Sequence, residues 1–293
     1  MPSRLILAAV VLALAVPSAA QAAEAKPAYY VSLGDSYAAG YQATGPGTGK
    51  ATRNGFAYQL VGKARKRGYR LTLVNFGCGG ETTESILNRK KSCGAGLGPG
   101  GEKYAGRTQA AAAERFLRRH RGEVSLVTVS IGGNDVTACA READPVPCVV
   151  AALERVKANG KALLKRVRKA TGPKTRIVGI TYPDVILGAW VTGLQADRDL
   201  ATLSVTAFKS LLNPALKGIY TSVGGRFVDV TAATGAYGSL EETTTLAPYG
   251  ELPVPVARVC KLTYYCEFKD IHPKTNGYEL IAGLVAATLP RKR

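Results

Sequence analysis

The stretch Tyr29–Ser36 reads YYVSLGDS, an apolar and partly β-branched run that ends in Gly34, Asp35 and Ser36. The run predicts a strand over Tyr29–Leu33, followed by a turn into a helix. A serine at such a turn projects its hydroxyl at the carboxyl edge of a sheet, where open α/β folds bind their ligands. Because the same tripeptide also forms ordinary turns, it does not define a function by itself.

Four more strands are predicted from similar runs: Leu71–Phe76, Val124–Ile131, Arg176–Tyr182 and Arg226–Val230. Helical patterns lie between and after them: Thr108–Arg119, Val149–Ala170, Leu194–Tyr220 and Tyr278–Leu289. We expect Pro214 to interrupt or kink the third helix, since proline lacks a backbone N–H. Alternating strands and helices imply parallel strands joined by right-handed crossovers, which predicts an α/β fold with three layers, α/β/α.

Several long connections are rich in glycine or proline: Tyr41–Gly55, Ser92–Gly106, Ala138–Pro147 and Ala233–Phe268. Long loops in a compact domain usually line a site, so we expect these segments to surround one. No break in composition and no internal repeat divides the chain. The sequence therefore predicts one domain over residues 27–293.

Residues 1–22 have the pattern of a secretory signal peptide. Arg4 supplies the positive charge, and Leu5–Val16 is an apolar run too short to span a bilayer. Small residues precede the expected cleavage site after Ala22, with cleavage after Ala23 as a second choice and an uncleaved anchor as the alternative. We therefore expect a secreted, extracellular protein.

Export favours disulfides for the six cysteines. None of them forms the CxxC spacing that is typical of zinc or redox sites. Six cysteines allow 15 pairings. Proximity in the sequence favours the pairs Cys78–Cys93, Cys139–Cys148 and Cys260–Cys266.

The chain of 293 residues has 39 Lys and Arg against 21 Asp and Glu, a formal net charge of +18. A solvated surface is one interpretation of this charge, and peripheral contact with anionic surfaces such as phospholipid headgroups is the other. No aromatic residues are interleaved with the basic runs, so we expect no nucleic-acid partner. The only histidines, His120 and His272, exclude a metal site built on several imidazoles.

Two glycine-containing turns follow predicted strands. Gly77–Thr83 fails the dinucleotide-binding pattern because Thr82 stands where the third glycine is required, although glycines let backbone N–H groups approach a ligand. Gly132–Asp135 places Asn134 at a strand end. Its carboxamide can donate a hydrogen bond to a developing oxyanion, or it can cap the next helix.

Asp270-Ile271-His272-Pro273 precedes the last predicted helix. The spacing could let Asp270 hold the imidazole of His272 in the tautomer that a general base needs. A surface turn made rigid by Pro273 is the alternative. His120 lies among arginines, and we expect it at a solvated helix end.

Four motifs, taken in this order, carry a resemblance: Gly34-Asp35-Ser36, Gly80, Gly132-x-Asn134 and His272-Pro273. They resemble the SGNH hydrolases, also called the GDSL lipase/esterase family, over residues 29–289. The signal peptide, the cysteines and Tyr182-Pro183 are similar to the secreted actinobacterial branch. The resemblance implies a five-stranded parallel sheet with a flavodoxin-like strand order.

The resemblance also implies roles in catalysis. Ser36 is expected to be the nucleophile, and His272 to accept its proton and deliver it to the leaving alcohol. The N–H groups of Ser36 and Gly80 and the side chain of Asn134 are expected to form the oxyanion hole. The predicted disulfides would then tether the loops that carry these groups.

One position departs from the family pattern. The family places its acid three residues before the histidine, where this chain has Lys269, and Asp270 lies only two residues before it. Either the Asp270 carboxylate or the Lys269 carbonyl is therefore expected to orient His272.

The resulting prediction is a secreted serine ester hydrolase, a lipase or esterase that forms an acyl-enzyme and needs no metal or cofactor. The positive charge favours a phospholipase-type substrate, and we expect a monomer whose partner is an ester or lipid. A carbohydrate O-deacetylase of the same fold is one alternative. A non-catalytic envelope-binding protein on a hydrolase scaffold is the other.

Overall fold

The structure, a computed structural model, describes residues 28–90 and 93–292. The signal peptide predicted over residues 1–22 lies outside the described residues. The strands are β1 (Ala28–Gly34), β2 (Tyr41–Gly45), β3 (Thr48–Ala51), β4 (Leu71–Asn75), β5 (Val124–Ser130), β6 (Arg176–Ile180), β7 (Arg226–Val228), β8 (Thr243–Leu246) and β9 (Gly250–Pro253). The α-helices are α1 (Ser36–Ala39), α2 (Phe56–Arg65), α3 (Ser85–Asn88), α4 (Gln109–Arg119), α5 (Gly133–Thr137), α6 (Pro145–Thr171), α7 (Gln195–Ala207), α8 (Asn213–Thr221), α9 (Val230–Ala233), α10 (Val254–Leu262), α11 (Tyr265–Phe268) and α12 (Thr275–Ala287).

The main sheet has five strands in the order β4-β1-β5-β6-β7. Every neighbouring pair is parallel, and Val31 of β1 pairs with Val74 on one side and Val127 on the other. A parallel sheet is covered on both faces, which explains why its strands are continuous apolar runs rather than alternating ones. The predicted α/β fold and its flavodoxin-like order are confirmed.

Helices cover both faces of the sheet. Helix α6 packs between α4 and α8, and α12 packs against α2. The principal core lies between these helices and the strands and includes Tyr30, Leu126, Leu163, Val178 and Tyr278, all of them buried. The sheet therefore forms a rigid central layer whose carboxyl edge can hold a site in place.

The helix expected over Leu194–Tyr220 is divided as Pro214 predicted. A π-helical turn, Phe208–Leu212, separates α7 from α8. Pro214 lies in the first turn of α8, directly after this π-helical turn. The π-turn matters for the site because Phe208 and Leu212 lie against the cavity described below.

The segment Ala233–Phe268 was predicted as a long loop, and this was wrong. It contains the β8–β9 hairpin, α10 and α11. Val256 and Val259 of α10 pack with Leu187 and Leu252 in a second buried cluster. Three glycines and three prolines between residues 235 and 255 gave this segment the composition of a loop, although proline is well tolerated in the first turn of a helix, where Pro255 of α10 lies. The Tyr41–Gly55 loop likewise contains the β2–β3 hairpin.

All three predicted disulfides are present: Cys78–Cys93, Cys139–Cys148 and Cys260–Cys266. No helix among the described residues combines the length and the apolar character needed to cross a membrane.

Candidate active site

Ser36 is placed by the junction between β1 and α1. Asp35 caps α1, because its Oδ1 accepts the backbone N–H of Tyr37 at 2.9 Å. Gly34 has φ +134°, and a Cβ atom at this position would lie 2.0 Å from the Ser130 carbonyl oxygen of β5. Only glycine fits this close approach, so the Gly34-Asp35-Ser36 turn fixes the serine at the carboxyl edge of the sheet.

Three of the predicted site residues form one hydrogen-bonded chain. The Oγ of Ser36 lies 2.8 Å from Nε2 of His272. The Nδ1 of His272 lies 2.7 Å from Oδ1 of Asp270, which also accepts the backbone N–H of His272 at 2.9 Å. The structure therefore places the Asp270 carboxylate, the first of the two alternatives, at the orienting position. Residues 236 positions apart in the chain meet at this edge.

Asp270 stays ionised because of His272. Burial raises the pKa of this carboxyl, but the hydrogen bonds and the charge of His272 outweigh that effect and hold the pKa below its usual value. An ionised Asp270 accepts a hydrogen bond from the Nδ1–H group of His272, which leaves Nε2 unprotonated and able to take the proton of the Ser36 hydroxyl. Such an arrangement can supply a nucleophile, a base and an orienting acid.

Tyrosines that the sequence analysis did not single out surround His272. The hydroxyl of Tyr37 donates to the carbonyl of Ile271 at 2.6 Å. The centroids of the Tyr41 and His272 rings lie 4.3 Å apart, and the Tyr278 hydroxyl donates to the Tyr41 carbonyl at 2.7 Å. These contacts connect the loop of His272 to the helix that carries Ser36. Their sequence signal is weak, because each tyrosine is also an ordinary core residue.

Asn134 and Ser36 line the same cavity. One N–H of its carboxamide donates to the Glu81 carbonyl at 2.8 Å, which fixes the side chain and leaves the second N–H for another acceptor. The neighbouring Asp135 accepts hydrogen bonds from the N–H and the hydroxyl of Thr83, at 2.9 and 2.6 Å. These bonds join the loops after β4 and β5.

Gly80 belongs to the same pair of loops. Its φ of +76° favours glycine, although a Cβ atom there would meet no neighbour within 4 Å. Within the described residues, neither its backbone N–H nor that of Ser36 donates a hydrogen bond to the backbone. The Cys78–Cys93 disulfide and the hydrogen bond from Gly79 N–H to the Gly96 carbonyl, 3.0 Å long, tether this loop.

Replacing Asn134 by alanine is expected to lower kcat by about 10²- to 10³-fold, which is the typical cost of removing one oxyanion donor. KM is expected to change little, because the hydrogen bond forms with the charge that develops in the transition state. Steady-state kinetics on a soluble ester measures both constants. The exposed Asn88 provides a matched control as Asn88→Ala, and equal activities of the two variants would contradict the assignment.

Two further carboxyls are buried near the site. Asp35 accepts the Tyr182 hydroxyl on Oδ2 at 2.6 Å. Burial nevertheless raises the pKa of Asp35 to about 7, against the lowering effect of this bond. Burial also raises the pKa of Asp184 to about 7. Asp184 follows Tyr182-Pro183 and packs against α7.

Burial favours the protonated form of the Asp184 carboxyl, although its contacts with Ser204 and with the backbone of Ile186 and Leu187 lower its pKa. Its Oδ2 lies 2.9 Å from the hydroxyl oxygen of Ser204, and that oxygen lies 2.7 Å from the Ala201 carbonyl. The hydroxyl has one proton and cannot donate to both oxygens. If Ser204 donates to Ala201, the remaining contact is satisfied when Asp184 itself donates.

These pKa values predict the direction of a pH effect on stability. Below about pH 7, folded Asp184 holds a proton that the unfolded chain releases near pH 4, so the free energy of unfolding falls as the pH rises through this window. The Asp184→Asn variant mimics the neutral acid. Relative to this variant, the free energy of unfolding of the wild type is expected to fall by up to about 1.4 kcal/mol for each pH unit of increase. Urea unfolding between about pH 5 and 7 measures this difference. Asp199→Asn on the exposed side of α7 is the control, and parallel curves for wild type and Asp184→Asn would contradict the prediction.

A cavity opens at Ser36 and encloses about 900 Å³ of empty space, counting its open mouth. Asp35, Ser36 and Asn134 are among its polar lining residues. Its walls are largely apolar and include Val149, Ile186, Leu200, Leu203, Phe208 and Leu212. Such a cavity, mostly apolar with a few polar groups, is typical of a small-molecule site.

His120 takes no part in this site. It lies at the end of α4, with its ring against Tyr29 and Phe116, and its Nδ1 is 2.8 Å from the Glu123 carboxylate.

Comparison with known proteins identifies the class. The model of the GDSL-like lipase/acylhydrolase family matches residues 32–280. An extracellular lipase from Streptomyces rimosus has a similar structure, with 18% identity, a TM-score of 0.48, and coverage of 89% of this chain and 100% of that chain. A variant of an acetyl-xylooligosaccharide esterase from Geobacillus stearothermophilus has 19% identity, a TM-score of 0.50, and coverage of 91% and 97%. No curated protein sequence matches the chain.

By its fold and family, the protein is a carboxylic ester hydrolase. More narrowly, the chain belongs to the GDSL-like lipase/acylhydrolase family, whose model covers most of its length. The resemblance found in the four sequence motifs is thereby confirmed at the level of the family.

Proposed function

We propose that this protein is a secreted serine esterase of the lipase type, which cleaves carboxylic esters with an apolar acyl chain through an acyl-enzyme. The apolar cavity that opens at Ser36 is the observation that carries the proposal. A site for acetyl groups on a carbohydrate needs little apolar volume and many polar partners. Here the reacting end is polar and the remaining walls are largely apolar, which suits a hydrocarbon chain.

The proposed reaction begins when Nε2 of His272 takes the proton of the Ser36 hydroxyl and Oγ attacks the ester carbonyl carbon. The negative charge on the carbonyl oxygen is met by the N–H groups of Ser36 and Gly80 and by the free N–H of Asn134. The intermediate collapses as His272 protonates the leaving alcohol, which leaves an acyl group on Ser36. Water, deprotonated by His272, then attacks this acyl group, and His272 returns the proton to Oγ of Ser36 as the bond to the acyl group breaks and the acid leaves.

The proposal of secretion rests on two features. The pattern of residues 1–22 is that of a signal peptide. The three disulfides leave no free cysteine among the described residues, as expected of a chain that folds in an oxidising compartment.

Hydrolysis of p-nitrophenyl esters of increasing acyl length tests the substrate class. Burial of each methylene contributes about 0.8 kcal/mol, so kcat/KM is expected to rise about three- to fourfold per added carbon until the cavity is full. Phosphatidylcholine and acetylated xylan are assayed beside the series. Highest activity on the acetate ester and on acetylated xylan would favour a carbohydrate O-deacetylase and contradict the proposal.

A variant that fills the cavity sharpens the test. Ala207 lines the cavity, so Ala207→Phe is expected to depress hydrolysis of long esters while the acetate ester is still cleaved. Ala196→Phe places the same side chain on the exposed surface of α7 and is the matched control. Equal chain-length profiles for the two variants would place the acyl chain elsewhere.

A further inference from the structure

Four exposed large apolar side chains either line the cavity or directly adjoin a lining residue in the chain. Within the part of the chain that the structure describes, the exposed large apolar residues are Val146 (52% exposed), Val150 (52%), Leu194 (64%), Leu203 (42%) and Leu211 (43%). All except Leu194 lie on α6, on α7 or on the π-turn after α7, three elements that contribute lining residues to the cavity. We call Val146, Val150, Leu203 and Leu211 the apolar rim.

One side of the rim is the first turn and a half of α6. Val146 and Val150 are four residues apart and share a face of this helix. The neighbouring Pro145 and Val149 line the cavity itself. The exposed valines therefore continue the apolar wall outward from the cavity to the surface.

The other side of the rim is formed by α7 and the π-turn that follows it. Leu203 both lines the cavity and is 42% exposed, so it reaches from the interior to the surface. Leu211 lies beside Leu212, which also lines the cavity. Leu203 therefore connects the exposed rim with the lining of the cavity that opens at Ser36.

Single exposed hydrophobic residues are normal, but a group of them around a catalytic mouth indicates an interaction surface. A polar soluble substrate would gain nothing from such a rim. Binding to a lipid surface would be favoured by the rim, because the rim side chains leave water on contact while the cavity receives an acyl chain. The net charge of +18 would also attract the protein to a surface that carries anionic headgroups.

We propose that the apolar rim inserts into the surface of a lipid membrane or other lipid aggregate, so that an ester passes into the cavity without crossing water. The inference rests on the proposed function and adds that the substrate enters from a lipid surface and not from solution. Each rim side chain that leaves water is expected to strengthen binding by about tenfold. Anionic lipid is expected to strengthen it further, in a salt-dependent way.

Vesicle sedimentation tests the proposal on the full chain carrying Ser36→Ala, so that binding is measured without hydrolysis. The vesicles consist of phosphatidylcholine alone or of equal parts of phosphatidylcholine and phosphatidylglycerol. The rim variant is Val150→Gln with Leu211→Gln, which removes one apolar side chain from each side of the mouth and changes no charge. The control is Ala158→Gln with Ala287→Gln, two exposed helix positions outside the rim.

The rim variant is expected to lose at least about tenfold in its partition coefficient on both kinds of vesicle, and the control is expected to match the parent. With Ser36 restored, hydrolysis of a soluble short-chain ester reports that the rim variant is folded, since neither substituted side chain lines the cavity. Equal partitioning of rim variant and control would overturn the inference. So would a dimer that only the rim variant loses in gel filtration, because the rim would then cover a second copy of the chain.

Failure of this inference is distinguishable from failure of the proposed function. A wild-type protein that cleaves soluble long-chain esters but partitions no better than its rim variant refutes the lipid surface alone. A wild-type protein that cleaves only acetate esters refutes the proposed function, whatever the vesicle result.

Discussion

Replacing Ser36 by alanine is expected to lower kcat by about 10⁶-fold, which is the scale seen when the nucleophile of a serine hydrolase is removed. The reason is that Oγ of Ser36 is the atom that forms the bond to the ester carbon, and it lies 2.8 Å from the base that takes its proton. Steady-state hydrolysis of a p-nitrophenyl ester measures the loss.

Ser239→Ala, in an exposed loop, is the control for this substitution and is expected to retain wild-type kcat. Unfolding curves of both variants show whether the fold is intact. A folded Ser36→Ala variant that keeps more than about a tenth of the wild-type kcat would exclude Ser36 as the nucleophile.

The second large effect is expected for Asp270→Asn, which is predicted to lower kcat by about 10⁴-fold with little change in KM. The amide preserves the size of the side chain, but it can donate to Nδ1 of His272 instead of accepting from it. The ring then holds its proton on Nε2, the nitrogen that faces Ser36, and cannot act as a base. Asp199→Asn, on the exposed side of α7, removes the same charge and is the control.

This experiment also decides between the two orienting groups that the sequence left open. A loss of only a few-fold would mean that the carbonyl of Lys269 orients His272 and that Asp270 is dispensable. The 2.7 Å contact between Asp270 and Nδ1 favours the large effect.

Much of the fold could be predicted because the parallel strands are buried on both faces and stand out as β-branched runs. The run at Val124–Ile131, for example, corresponds to β5, Val124–Ser130, within one residue. The turn from Gly34 to Ser36 could be located because β5 leaves no room for a Cβ atom at position 34, and the sequence therefore has a glycine there. Such local signals need no knowledge of the tertiary structure.

The parts that were missed depend on contacts between distant segments. Helix α10 is stabilised by packing against Leu187 and Leu252, and its own sequence does not indicate those partners. The contact of Tyr41 with His272 joins residues that are far apart in the chain, so no spacing rule reveals it. The raised pKa of Asp184 likewise follows from burial, and the burial of one carboxyl cannot be predicted from the sequence around it.

The most direct test of the central claim is the site of covalent labelling by a fluorophosphonate probe, located by peptide mass spectrometry. Such a probe reacts with a serine only where a base activates it and donors stabilise the negative oxygen. We expect one adduct per chain on Ser36, abolished by His272→Ala and retained after Ser239→Ala. An adduct on another residue, or a folded and catalytically active enzyme that takes up no probe, would contradict it.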